Sequence, residues 1–162
     1  MRKNRLEKEQ LAEQAAHLAY QDELKFGCCP QCVLKAVQST VGYVTDETIK
    51  ASHGLSGGGG LMGLGACGAL TGGLLALSAK RGRDHDKFEK GKFVGNFRLG
   101  QELVKRFEEE FGGVTCQQLQ LRFTGQTYDM WDEEQYQAFT DARGSQCADA
   151  TARVTRWVVE ML

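Results

Sequence analysis

The sequence has little proline and no surplus of charge of either sign. Pro30 is the single proline, and 20 Lys and Arg residues stand against 21 Asp and Glu residues among 162, for a net charge of -1. Without a basic surplus, bulk electrostatics does not favour a nucleic-acid partner. No segment alternates cleanly between apolar and polar residues, so no strand is predicted and the sequence indicates an all-α fold.

A secretory leader is also missing. The basic residues Arg2, Lys3 and Arg5 are followed at 6–10 by Leu-Glu-Lys-Glu-Gln rather than by an apolar segment. We therefore expect a cytoplasmic protein, in which stable disulfides are rare. The six cysteines then indicate metal binding or redox chemistry rather than structural cross-links.

Hydrophobic periodicity predicts one compact helical bundle with a glycine-rich central helix. Residues 1–26 form an N-terminal amphipathic helix, and 27–162 form a cysteine-containing core. The predicted helices cover 3–26, 30–40, 46–52, 61–79, 88–111, 116–121, 131–142 and 146–162. The residues expected to face the core from the first helix are Leu6, Leu11, Ala15, Leu18, Ala19 and Leu24. The apolar positions of the long helix over 88–111 include Phe88, Val94, Phe97, Leu103, Phe107 and Phe111.

The predicted central helix, 61–79, carries no charge and is rich in glycine. The glycines within it are Gly63, Gly65, Gly68, Gly72 and Gly73. Each costs roughly 1 kcal/mol relative to alanine in a helix interior. Close helix packing, or a ligand that needs bare backbone, must offset that cost. The run is nearly long enough to cross a bilayer, but its glycines lower its hydrophobicity, so we expect a buried core helix and no membrane insertion.

Three regions of the chain supply cysteines besides Cys67, which lies among glycines in the central segment. One cysteine from each region, Cys32, Cys67, Cys116 and Cys147, gives four thiolates, the number that holds an iron–sulfur cluster. Their long spacings equally suit four buried cysteines that act as small apolar side chains. Four thiolates also suit zinc, although structural zinc sites usually use paired short spacings.

Cys29 and Cys32 form a CxxC unit at a predicted helix start. The helix dipole at that position lowers the pKa of a thiol, so the two residues are candidates for an exchanging disulfide pair. Cys28 and Cys29 are additional to the set of four; each is a spare ligand, a local disulfide partner or an inert thiol. Because Val33 and not histidine follows Cys32, covalent haem attachment is not predicted.

The segment Cys67-Gly68-Ala69-Leu70-Thr71-Gly72 resembles the CGAxxG signature of a family of redox-active proteins named C_GCAxxG_C_C. The family pattern has one upstream cysteine and two downstream cysteines, and Cys32, Cys116 and Cys147 occupy those places. The resemblance spans about 26–162.

Through its similarity to the cluster-binding part of split-Soret cytochromes c, the resemblance implies a [2Fe–2S] cluster for electron transfer or redox sensing. Its ligands would be Cys32, Cys67, Cys116 and Cys147, and the glycines giving close backbone approach would be Gly65, Gly68 and Gly72. An electron-transfer partner and a homodimer are also implied. The alternative function is metal-free thiol–disulfide chemistry that uses Cys29 and Cys32 together with Cys67, Cys116 and Cys147.

Overall fold

The regular structure of the described chain is helical. The computed structural model describes residues 2–162, with side chains from Asn4 onward. The α-helices in chain order are α1 (Arg2–Phe26), α2 (Cys29–Val41), α3 (Asp46–Ala51), α4 (Gly68–Arg81), α5 (Val94–Phe111), α6 (Cys116–Thr124), α7 (Glu133–Arg143) and α8 (Gln146–Met161), and 3-10 turns cover His53–Leu55 and His85–Lys90. Residues 2–162 contain no strand and only an isolated bridge between Ala66 and Thr115. The prediction of an all-α fold is confirmed.

Several helices start where the sequence carries a start signal. Pro30 lies in the first turn of α2, where its missing N–H leaves no hydrogen bond unmade. Thr115 and Gln118 form a reciprocal capping box at the start of α6. The Asp132 carboxylate accepts a hydrogen bond of 2.9 Å from the Gln135 amide and caps α7. These short-range signals explain why the predicted starts of α2, α6 and α7 lie within two residues of the observed ones.

The face that α1 packs against α8 and α2 is made of small residues. Its buried alanines are Ala12, Ala15, Ala16 and Ala19. Three leucines predicted to face the core are exposed instead: Leu6, Leu11 and Leu24. An alanine face lets two helix backbones approach closely, and this contact determines the orientation of α1 more than the bulk of its leucines does.

The helix predicted over 61–79 begins only at Gly68. Gly57 to Gly60 have φ values of 60°, 76°, 84° and 55°, and Leu61 has φ of 60°. These left-handed conformations cannot enter a right-handed helix, and Met62 and Leu64 are exposed. Within residues 2–162, no helix has both the length and the apolarity needed to cross a membrane.

Close helix contacts account for two glycines that remain inside α4. A Cβ atom on Gly72 would lie 2.8 Å from the Cα and the carbonyl oxygen of Pro30, and one on Gly73 would lie 2.7 Å from Val154. These distances are shorter than real Cβ contacts, so α2 and α8 pack directly on the backbone of α4. Close helix packing, rather than a ligand that needs bare backbone, therefore explains the glycines at these two positions.

The helix predicted over 88–111 is divided. Phe93, with a left-handed φ of 50°, separates the 3-10 turn from α5. Phe88 and Phe97, predicted to be core residues, are 62% and 66% exposed. Farther along α5, Leu103, Phe107 and Phe111 are buried as predicted and join one core shared by α1, α2, α4, α6 and α8.

We expect Gly72→Ala to lower the free energy of unfolding by about 1–3 kcal/mol, because its methyl group meets the backbone of α2 and requires the helices to separate. Gly95→Ala is the matched control in α5: a Cβ there meets nothing within 4 Å, so the variant should be neutral or up to about 1 kcal/mol more stable. Urea unfolding followed by circular dichroism measures both. Equal stability of the two variants would contradict direct backbone packing at Gly72.

Candidate functional site

Five of the six cysteines line one cavity of about 60 Å³. They are Cys28, Cys29, Cys67, Cys116 and Cys147. The cavity is small beside the roughly 300–1,000 Å³ of pockets for organic ligands. All six cysteines are free thiols. The fold therefore brings together thiols that are up to 119 residues apart in the sequence.

Four of these thiols lie at the starts of four different helices. Cys29 and Cys116 are the first residues of α2 and α6, Cys67 immediately precedes α4, and Cys147 is the second residue of α8. A helix N-terminus carries a partial positive charge and unpaired N–H groups. Four such ends directed at one cavity make it a favourable place for negative charge.

Main-chain hydrogen bonds hold the Cys67 and Cys116 segments side by side. The Cys67 amide donates to the Val114 carbonyl at 2.7 Å, and the Cys116 amide donates to the Gly65 carbonyl at 3.0 Å. The Gln117 amide donates to the Gly63 carbonyl at 3.0 Å. The starts of α4 and α6 are thereby fixed relative to each other before any side chain contributes.

The three glycines predicted to allow close approach serve different contacts. Gly68 lines the cavity, and a Cβ atom there would lie 2.7 Å from the Pro30 ring and 3.2 Å from Cys29 Cβ. A Cβ atom on Gly65 would lie 2.6 Å from the carbonyl oxygen of Gly58, within the glycine-rich loop. Gly72 packs on α2 as described above. Close approach occurs at all three, but only the Gly68 contact borders the thiols.

Cys32 lies outside the cavity lining, whereas Cys29 is part of it. The Cys32 thiol is buried and donates to the Gly27 carbonyl at 3.1 Å. Cys29 is near enough to Cys67 and Cys147 for their charges to act on it. The resemblance to the family implies Cys32 at the upstream position. Cys29 lines the cavity with the downstream cysteines, whereas Cys32, one turn later on α2, does not, although it lies close enough to the lining residue Glu23 to feel its charge.

Burial keeps the thiols of the metal-free protein protonated. It raises the pKa of Cys67 strongly, and the charge of Cys147 adds to this, while the N–H groups of Ala69 and Leu70 oppose it. Burial also raises the pKa of Cys29 well above its usual value, with the Glu23 carboxylate adding to the effect. The low-pKa thiolate predicted from the helix start is therefore overridden by desolvation. The Cys29 and Cys32 thiols lack the ionised state that rapid disulfide exchange requires.

Three polar residues of the cavity wall were not predicted from the sequence: Glu23, Gln120 and Arg143. The Gln120 amide nitrogen lies 3.6 Å from Cys116 Sγ, and its oxygen accepts a hydrogen bond of 2.9 Å from the Tyr128 amide. Glu23 follows Ala15 and Ala19 at intervals of four, on the buried face of α1. Its position in line with those alanines is the sequence signal that could have indicated a buried charge. The predicted core face of α1 included leucines and did not include Glu23.

The cysteines are not arranged around a single ion. Among the described residues, no three His, Cys, Asp or Glu side chains are grouped so that they could hold one metal ion. A tetrahedral zinc site needs all four sulfurs about 2.3 Å from one centre. The five cysteines of the cavity line its wall without forming such a group.

We expect alkylation of the reduced, metal-free protein to follow thiol burial. At pH 8, iodoacetamide should modify Cys28 before Cys29 and Cys67, because burial raises the pKa values of the latter two far more. Peptide mass spectrometry after timed quenching gives the order. In urea the six thiols should react at similar rates. Modification of Cys67 first in the native protein would contradict the buried site.

Comparison with known families identifies most of the chain. The family described as “Putative redox-active protein (C_GCAxxG_C_C)” matches residues 27–161. A search of curated proteins and a search of solved structures each gave no match. In the central motif the chain has Cys67 before Gly68, the reverse of the order in the family's name. The relation to split-Soret cytochromes c stays a prediction. Because the match covers the segment that builds the cysteine cavity, the chain belongs to the C_GCAxxG_C_C family of redox-active proteins.

Proposed function

We propose that the cavity binds a [2Fe–2S] cluster through Cys29, Cys67, Cys116 and Cys147, and that the protein exchanges single electrons with a partner carrier. The observation that carries this proposal is the meeting of four thiols, each from the start of a different helix, at one small cavity. Four thiolates are the usual ligand set of such clusters. Compared with the sequence prediction, Cys29 takes the place of Cys32.

The electrostatics of the cavity suits thiolate ligands. Thiolates are the form that binds metal, and burial alone disfavours them here. The four helix N-termini and the nearby Arg143 supply compensating positive charge. Metal binding would therefore release protons and convert the cavity from neutral thiols to paired charges. A bound [2Fe–2S] cluster supplies one-electron transfer at this position.

The walls of the cavity provide the environment that such a ligand set needs. Leu119, Phe123 and Phe139 line it and limit access of water. The N–H groups of Ala69 and Leu70 are directed at the Cys67 sulfur. Hydrogen bonds to ligand sulfurs and exclusion of solvent are the protein's main means of setting a cluster potential.

The same features weigh against metal-free disulfide chemistry as the main function. Cys29 donates to the Glu23 carboxylate at 3.3 Å and Cys32 donates to the Gly27 carbonyl, and the negative charge of Glu23 disfavours ionisation of both thiols. Burial raises the pKa of both thiols. An exchanging pair needs a stabilised and accessible thiolate.

Iron and acid-labile sulfide should each be present at about two per chain in protein purified without oxygen, with visible absorption bands of a sulfur-ligated cluster. Cys29→Ser should lose most of the iron, because serine removes a ligand that lines the cavity. Cys32→Ser is the matched control: it lies one turn away, keeps a hydrogen-bond donor to Gly27 and should retain the iron.

Circular dichroism of both serine variants establishes that they fold. Loss of iron from Cys32→Ser with retention in Cys29→Ser would restore the ligand set predicted from the sequence. Wild-type protein that stays colourless after anaerobic reconstitution with iron and sulfide would refute the cluster and leave thiol chemistry as the function.

A further inference from the structure

A buried carboxyl group from α1 faces the cysteine cavity. Glu23 is only 3% exposed and lines the cavity. Its Oε1 accepts a hydrogen bond of 3.3 Å from the Cys29 thiol and lies 3.5 Å from Arg143 Nη1. It belongs to a helix outside the 27–161 segment that matches the family. The N-terminal helix thus contributes directly to a site otherwise built by the family segment.

The contact between Glu23 and Arg143 leaves one polar atom of each without a partner. Glu23 Oε2 and Arg143 Nε are buried and make no hydrogen bond to any described residue. Buried polar groups are normally paired, because an unpaired one loses its hydration without compensation. Both side chains border the cavity, so their free atoms lie beside the space where a ligand would be held.

Attachment of α1 does not account for this geometry. The ion pair that joins α1 to α8 on the surface, Glu13 with Arg156, has a separation of 2.6 Å. Glu23 and Arg143 are farther apart, and their single contact is not bidentate, although both are far more buried. Arg143 also stacks on Phe139 at 5.3 Å and acts through its charge on the Cys147 thiol. Each member of the pair therefore contacts a thiol as well as its partner: Glu23 contacts Cys29, and Arg143 acts on Cys147.

We propose that Glu23 and Arg143 are positioning residues that set the reduction potential of the cysteine site: Arg143 holds positive charge beside Cys147, and Glu23 holds Arg143 and Cys29 in place. This inference rests on the proposed cluster. Reduction adds one electron, supplied by a one-electron carrier protein, and so adds one negative charge, with no bond made or broken at either residue. Arg143 would stabilise that added charge, and Glu23 in its ionised form, which burial disfavours and Arg143 favours, would oppose it.

Potentiometric titration of the loaded protein with dithionite as reductant tests this directly. Arg143→Gln should shift the midpoint potential to a more negative value, and Glu23→Gln should shift it to a more positive value. Glu13→Gln and Arg156→Gln are matched controls on the surface ion pair, and they should leave the potential unchanged. Variants of Glu23 and Arg143 that load normally and keep the wild-type potential would overturn the proposal.

A second readout uses the metal-free protein and is independent of loading. Glu23→Gln removes the charged acceptor of the Cys29 thiol, so iodoacetamide should modify Cys29 faster relative to Cys67 than in the wild type. If no protein loads, the proposed cluster fails, and an unchanged alkylation ratio would then refute the placement of Glu23 as well.

Conservative variants cover the case in which a glutamine variant does not fold by circular dichroism. Glu23→Asp and Arg143→Lys keep the sign of the charge. Aspartate has a shorter side chain, and lysine has a single ammonium group in place of the guanidinium. They should give smaller shifts of potential in the same directions, and wild-type potentials in both would count against the proposal.

Discussion

The close approach of α4 to α2 is the constraint on which the site depends. Gly72 lies against the Pro30 backbone, and Gly68 lies against the Pro30 ring and the Cys29 side chain. Any larger residue at these positions would push the two helix starts apart and carry Cys67 away from Cys29. The contact is possible because Pro30 needs no hydrogen bond in the first turn of α2 and glycine has no side chain. The backbone contacts that pack α4 on α2 are therefore the same contacts that hold Cys67 near Cys29.

Two opposing electrostatic effects meet at the cavity. Burial among apolar walls keeps the Cys29 and Cys67 thiols neutral, while helix ends and Arg143 favour negative charge. Burial outweighs the helix ends in the metal-free protein, in which the thiols stay protonated. A cation-containing ligand would change that balance, since it offsets desolvation at the atoms that lose protons. The cavity therefore favours thiolates only when a bound cation offsets the cost of their burial.

The sequence predicted the helices where a local signal controls the outcome. Pro30 marks the start of α2 because it has no N–H to leave unpaired there, and the Asp132 carboxylate caps α7, so both helices lie close to their predicted positions. The start of α4 was wrong because an uncharged, leucine-containing stretch has the composition of a helix, whereas its glycines take left-handed conformations that composition does not reveal. The choice between Cys29 and Cys32, and the approach of Glu23, depend on how α1 and α2 pack. The spacing along α2 does not distinguish Cys29 from Cys32, and along α1 the only trace is the position of Glu23 in line with Ala15 and Ala19.

The pairing of the Cys67 and Cys116 segments has a consequence for how this family can vary. Three N–H donors, those of Cys67, Cys116 and Gln117, hold the segments together, and the main chain provides these groups whatever the side chain is. Side chains matter at one point of the contact, because a Cβ atom on Gly63 would lie 2.7 Å from the Gln117 side chain. The main-chain hydrogen bonds also restrict the sequence: proline has no N–H, so it should not occur at any of the three donor positions.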